Sequence, residues 1–482
     1  MNQKFAPGLF CHTALRKACK TSLALCMVLG LWATACAQAL PAEVNRALQQ
    51  AQLPAAALHV VVAPAQGGPA RLSHRAEVPV NPASLMKLLT TSVALETLGP
   101  AYAWRTQVAA DGPVVGGSLR GNLYVQGQGD PKLVVERLWL LLRRVRALGI
   151  QHIEGDIVLD RSAFEVGPTD PGLFDGEPHR PYNAGPDALV VNFKSMVLQF
   201  VPDNRAGLAR VHVEPPLAGL RVPETVPLTQ GPCTDYRSAL KADLGDPAQI
   251  IFRGNYPASC GERAWPLAYA DPPGHAGRAI EGLWRAVGGQ LGGRVREGRL
   301  TPSATPLLHT DSPPLAELVR DINKFSNNLM AEQVFLTLSL QAMGVGRVDA
   351  SRELVQRWWD RRVGVPGLVV DNGSGLSRSG RMTAQGLAVL LQRAWAAPYM
   401  SELMSSLPIG GLDGTLRRSR SAASAHLKTG SLRQVLAVAG YVDGEAGQRW
   451  VLVAIIEHPQ AQTARAVLDA LVDWTAVLPH QP

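Results

Sequence analysis

Apolar side chains crowd one stretch near the start of the chain with almost no polar interruption. Leu85, Met86, Leu88, Leu89, Val93, Leu95 and Leu98 predict a helix buried on most sides, entered through Asn81-Pro82. Ahead of it, Pro41 to Ala51 repeats at helical spacing. Leu58 to Ala63 is a β-branched run fit for a buried strand, and Ala70 to Arg75 follows a Gly67-Gly68-Pro69 turn as a second strand. From about Ala103 the period drops to two. Strands are predicted over Thr106–Ala110, Ser118–Val125 and Ile153–Leu159, around an amphipathic helix from Val134 to Leu148. Between Pro178 and Pro266 proline and glycine are dense and the strands short: Leu189–Phe193, Val197–Val201, Val211–Glu214 and Gln249–Gly254.

Helical spacing returns after Pro313 (Leu315, Leu318, Val319, Ile322) and continues in Leu329–Leu340, Ala350–Arg361 and Thr383–Ala396. Three strand-like runs close the chain, Ala425–Leu432, Leu436–Val442 and Trp450–Glu457, before a last helix from Thr463 to Val477. Strands and helices at both ends imply one antiparallel sheet flanked by helices. Everything between about Tyr102 and Leu300 is then an excursion from that domain.

Composition excludes several classes. With 46% hydrophobic and 18% charged residues over 482 positions, the chain builds cores and is not disordered. Its N-terminus is a targeting segment: Lys4, Arg16, Lys17 and Lys20 precede an apolar run from Leu23 to Ala33 and the small-x-small pattern Ala37-Gln38-Ala39. This predicts an exported protein cleaved near Ala39, with Cys36 as a rival, lipid-bearing terminus. Removing those four cations leaves +4 of the formal +8, which argues against nucleic-acid binding. At most peripheral membrane contact is expected, because no later run approaches a spanning length. Cys11, Cys19, Cys26 and Cys36 fall in the signal. Cys233 and Cys260 remain, and an oxidising compartment predicts a disulfide. A zinc site competes for them but lacks nearby Cys-x-x-Cys or paired histidine partners.

Candidate chemistry begins in the apolar helix, where Ser84 and Lys87 project from one face. A lysine activates a serine only if its ammonium form is disfavoured by an apolar site or a nearby cation. Alone this is weak, since Ser238 and Lys241 repeat the spacing with polar flanks, and a capping serine beside a snorkelling lysine explains either copy. Two more motifs follow: Ser326-Asn327-Asn328 between helical runs, and Lys428-Thr429-Gly430 at the start of a strand pair. In that order the three match the serine-acylase set Ser-x-x-Lys, Ser-x-Asn and Lys-Thr-Gly.

On these motifs the chain resembles the penicillin-binding proteins, and within them the low-molecular-mass class C D-alanyl-D-alanine carboxypeptidases/endopeptidases. The 242 positions from Ser84 to Ser326, far more than in serine β-lactamases, fit a family with two inserted domains. The likeness extends to PYNAGPDALVVN (Pro181–Asn192), DNGSGLS (Asp371–Ser377) and GLDGT (Gly411–Thr415). Asn327 stands where the family often has an acid.

The resemblance implies an α/β (α+β) transpeptidase-like domain over 40–103 and 298–482. One inserted β-rich domain would cover 104–180 with 269–297, the other 181–268. It implies a periplasmic enzyme acting on peptidoglycan peptides and acylated by β-lactams, with no metal or organic cofactor. Ser84 would attack the peptide carbonyl with Lys87 as base, Ser326 would pass the proton to the leaving amine, and Asn328 would hold Lys87 and a substrate amide. Lys428 would supply positive potential that disfavours protonated Lys87. Thr429, Gly430 and Ser431 would line the carboxylate subsite, with the N–H groups of Ser84 and Ser431 as the oxyanion hole. A β-lactamase or esterase with the same triad, and a vestigial wall-binding protein, are the competing readings.

Overall fold

The computed structural model describes residues 39–167, 169–445 and 447–479. All of the expected export signal but its last residue, including its four cysteines, lies outside them. From Leu40 onward the chain forms one compact unit.

The two ends of the chain build a single antiparallel sheet. Strands β1 (Leu58–Pro64), β2 (Leu72–His74), β3 (Ala425–Leu432), β4 (Val435–Asp443) and β5 (Arg449–Glu457) lie in the order β3-β4-β5-β1-β2. The N-terminal β1 pairs with the C-terminal β5 in the register Val60–Ala454. Alternate side chains of these strands enter two different cores. Val61, Val453 and Ile455 enter the core that holds helix α2 (Met86–Thr97), on the face where helix Ala384–Trp395 packs, while Val60, Val62, Leu452 and Ile456 face α1 (Ala42–Gln50) and the C-terminal helix Arg465–Ala476. Burial on both faces explains why β1 and β5 read as continuous apolar runs.

On the α2 side pack α3 (Leu315–Phe325) and α4 (Asn328–Met343). Every residue of α2 from Met86 to Leu95 is buried, as the uninterrupted apolar pattern predicts. The Ser84 position itself lies in a 3₁₀ turn, Ala83–Leu85, so the serine stands at the helix mouth and not within the α-helix.

The excursion has its own core, running from Val108 to Trp284 and separate from both cores of the terminal sheet. Strand Thr305–Asp311 pairs with Arg105–Ala110, so the chain rejoins the terminal sheet's layers only at α3. Cys233 and Cys260 form the expected disulfide.

Several local expectations are corrected. Leu189–Phe193 is not a strand: Asn192, Phe193 and Lys194 take left-handed backbone angles in a tight turn leading into strand Ser195–Asp203. Ser118–Val125 is two strands broken at Gly121, where a Cβ would fall 2.8 Å from the Gly112 nitrogen. Helix His275–Ala286 goes unpredicted because two glycines interrupt its pattern. Gly282 is there because its face touches the Pro216 carbonyl, which a Cβ would meet at 2.0 Å. The second Ser-x-x-Lys is structural: Ser238 donates to Asp235 at 2.6 Å in an exposed cap, and Lys241 is exposed in a left-handed conformation.

Candidate active site

The nucleophile turn is held in a strained shape. Ala83 has φ +47°, and Asn81 secures it by accepting from the Ala83 N–H at 2.8 Å and donating to the Ser377 carbonyl at 2.9 Å. Two glycines let neighbouring backbone close on this turn. A Cβ on Gly375 (φ +79°) would sit 1.9 Å from the Ala83 carbonyl oxygen, and one on Gly430 would sit 2.9 Å from that of Pro82.

Two of the expected residues, Ser84 and Asn328, converge on Lys87. Lys87 Nζ lies 3.0 Å from Ser84 Oγ, 2.7 Å from Asn328 Oδ1 and 2.6 Å from the Ser374 carbonyl. The last two partners only accept hydrogen bonds. A neutral Lys87 therefore spends its two N–H bonds on them, and its lone pair is left facing the Ser84 hydroxyl. Burial, with no exposed surface, lowers the Lys87 pKa to about 7, against an opposing pull from the Glu332 carboxylate.

Lys428 stands on β3, on the face that alternation turns toward α2. It donates to Ser326 Oγ and to the Thr429 carbonyl, each at 2.8 Å. Burial first, and the charge of Lys87 second, push its amine well below the usual lysine range. Sequence reasoning offered an apolar site or a nearby cation, Lys428, as the cause of the depression of Lys87. The structure makes desolvation the leading cause at both amines.

Ser326 reaches the site because it ends α3 in a left-handed conformation (φ +57°). Asn327 then accepts from the Met330 N–H at 3.0 Å and caps α4, a role that an acid at this position would fill equally. Asn328 Nδ2 donates to the Tyr182 carbonyl at 3.0 Å, tying the excursion into the site.

Thr429 and Ser431 are on the open side of β3. Thr429 donates to Thr415 Oγ1 at 2.7 Å, and Ser431 Oγ lies 3.4 Å from Gln462 Oε1. A cleft of about 1070 Å³ opens over Ser84, Ser326, Asn328 and Ser431, with Arg378 and Arg381 on its wall.

Sequence reading missed several site residues. Ser374 and Glu332 lie beneath Lys87, Tyr182 anchors Asn328, and Thr415 meets Thr429. Ser374, Tyr182 and Thr415 sit inside the quoted family-like stretches, the signal that could have flagged them. Thr415 is held indirectly by the Lys324–Asp413 pair at 2.5 Å, in which Lys324 is almost fully buried. Among the described residues no group of three or more His, Cys, Asp or Glu side chains could hold a metal ion, and no helix is long and apolar enough to cross a membrane.

The chain is similar in sequence and fold to known proteins. The D-alanyl-D-alanine carboxypeptidase of an Actinomadura species is 28% identical over 456 residues, covering 89% of this chain and 83% of that one. DacB of Haemophilus influenzae, also named a D-alanyl-D-alanine carboxypeptidase, is 24% identical over 78% of this chain and 80% of its own. The crystal structure of penicillin binding protein 4 from the same organism superposes with a TM-score of 0.71 at 21% identity, covering 89% of this chain and 99% of that one. Its complex with a β-lactam gives 0.68 at 22% identity, over 90% and 100%. With a family match running from residue 40 to residue 478, the chain belongs to the D-Ala-D-Ala carboxypeptidase 3 (S13) family.

Proposed function

We propose that the protein is a serine D-Ala-D-Ala carboxypeptidase, with endopeptidase action on cross-linked stem peptides, working through an acyl-enzyme on Ser84. The observation that carries this is the 3.0 Å approach of a fully buried Lys87 amine to the Ser84 hydroxyl. Ser84 Oγ attacks the carbonyl of the penultimate D-Ala as its proton passes to Lys87. Ser326, polarised by Lys428, relays that proton from Lys87 to the leaving amine of the terminal D-Ala. Thr429 and Ser431 receive the terminal carboxylate beside Gly430, and the N–H groups of Ser84 and Ser431 stabilise the oxyanion. Water then releases the acyl group and restores Ser84. β-Lactams acylate the same serine because ring opening keeps their leaving group tethered in the site.

The same reading extends to organisation and location. The catalytic domain comprises 40–103 and the chain from α3 to 482, since strand Thr305–Asp311 pairs with Arg105–Ala110 of the excursion, with inserted domains over 104–180 with 269–311 and over 181–268. The separate Val108–Trp284 core supports setting the excursion apart from the catalytic domain, and it runs through both inserted segments. The basic and apolar N-terminus supports export to the periplasm with cleavage near Ala39.

The test is release of D-alanine from an acetylated stem peptide ending in D-Ala-D-Ala, together with intact mass after benzylpenicillin. Release, and a lasting adduct that vanishes in Ser84→Ala, are expected. Rapid turnover of the penicillin without an adduct defeats the proposal in favour of a β-lactamase.

A further inference from the structure

Glu332 is an acid that the mechanism above does not use. It follows Asn328 by one turn of α4, so both project from one helix face toward the base. Its carboxylate accepts from Ser374 Oγ at 2.8 Å, and the Ser374 carbonyl in turn accepts from Lys87 at 2.6 Å. Ser374 is fully buried, and its N–H is held by Asn372 Oδ1 at 3.1 Å, so the link between acid and amine is short and fixed. Glu332 also borders a second cavity of about 750 Å³, shared with Tyr182, Phe335 and Asp371. The acid thus meets solvent behind the base, where Lys87 has no exposed surface of its own.

We propose that Glu332 is a positioning residue for the base, holding Lys87 through the Ser374 loop and setting the pH at which that amine releases its proton. The inference rests on the reading of Lys87 as base. The charged neighbours are few. Lys87 faces Glu332 and Lys428, while Glu332 faces Lys87, Asp371 and Lys194. Burial raises the Glu332 carboxyl to about 7, in the range where Lys87 also titrates, so the two titrations are coupled. Glu332 is not consumed in turnover. The proton that leaves Ser84 goes to Lys87 and then to the leaving amine.

The sign follows from charge. A carboxylate stabilises the ammonium form, so removing it lets Lys87 become neutral at lower pH. The test is the pH profile of the second-order rate of Ser84 acylation by benzylpenicillin. In Glu332→Gln the acid arm is expected to move down by about one pH unit, the effect of a single nearby charge at interior dielectric. The two profiles separate near and above pH 7, where the wild-type acid is charged, and there the variant reaches up to about tenfold more of its own plateau than the wild type does of its own. Glu332→Asp keeps the charge and returns the arm toward that of the wild type. Ser374→Ala, which loosens the acid without discharging it, moves the arm in the same direction by less, and it carries the test should the glutamine variant not fold. A folded Glu332→Gln with an unmoved arm, or a loss equal at every pH, overturns the inference as a merely structural effect. Absence of any Ser84 adduct in the wild type at every pH overturns instead the reading on which it rests.

Discussion

Gly430→Ala offers the most direct test of how the site is assembled. A Cβ at this position would lie 2.9 Å from the Pro82 carbonyl oxygen, 3.2 Å from Ala83 Cβ and 3.3 Å from Ala437 Cβ. Carbon contacts are comfortable at about 3.5–4.0 Å, so β3 and the nucleophile turn must part by roughly half an ångström. None of the three neighbours is the end of a flexible side chain. The Pro82 contact is backbone, and Ala83 sits in the strained turn that Asn81 holds. Overpacking of this kind costs about 1–3 kcal/mol. The catalytic loss should be larger than that suggests, because the shift separates Lys428, Thr429 and Ser431 from Ser84. A 1 Å misplacement can cost ~10²-fold in rate, so half of that predicts a ~10-fold or greater loss of acylation. The assay is stopped-flow acylation with a fluorescent penicillin, run beside thermal unfolding. Gly167→Ala serves as control, since its Cβ would enter open space. Acylation by Gly430→Ala within twofold of the wild-type rate would refute the claim that close approach of β3 builds the site.

Three further outcomes are expected. Asn327→Ala should lose about 1 kcal/mol of stability, through the missing cap on α4, and keep its acylation rate, whereas Asn328→Ala should acylate ~10²-fold more slowly because the Lys87 lone pair is no longer aimed. Equal losses in the two variants sink that division of labour. Asp413→Asn leaves the buried Lys324 ammonium without its counter-charge. Asp413 is about one-third exposed, so denaturant unfolding should show a loss of about 2–3 kcal/mol, below the fully buried case, with KM for the peptide rising more than kcat falls as Thr415 loosens. His275 is fully buried, and desolvation, aided by the Lys194 and Arg161 cations, lowers its pKa to about 3. A depressed histidine destabilises the fold as pH falls below its unfolded value of about 6.5, by roughly 4 kcal/mol on reaching pH 3. His275→Leu should therefore flatten the urea-midpoint profile between pH 6.5 and 4; profiles that stay parallel argue against a buried neutral imidazole.

What could be read from the chain were the features that repeat locally or carry their own chemistry. The apolar run around Lys87, the β-branched strands β1 and β5 and the three short motifs show themselves because period, propensity and motif spacing lie within a few residues. Their pairing across the chain followed from the same patterns, since both ends offered strands that needed partners. The spacing of Ser84 and Lys87 read the same as that of Ser238 and Lys241; apolar flanks and the two later motifs favoured the first pair, and the fold supplies the reason. One pair is enclosed with Asn328 and Ser374, while the other caps an exposed turn. Among the supporting groups of the site, Glu332 lay beyond reach, while Ser374, Tyr182 and Thr415 were marked only as members of family-like stretches. Glu332, Ser374, Tyr182 and Thr415 come from four separate segments, and each looks like an ordinary polar residue in its own neighbourhood. Local pattern settles which faces are buried, because burial demands apolar side chains at regular intervals. Hydrogen-bond partners, left-handed turns at Ala83 and Ser326, and the depressed amine of Lys87 depend on distances between remote segments, and those exist only once the sheet has closed.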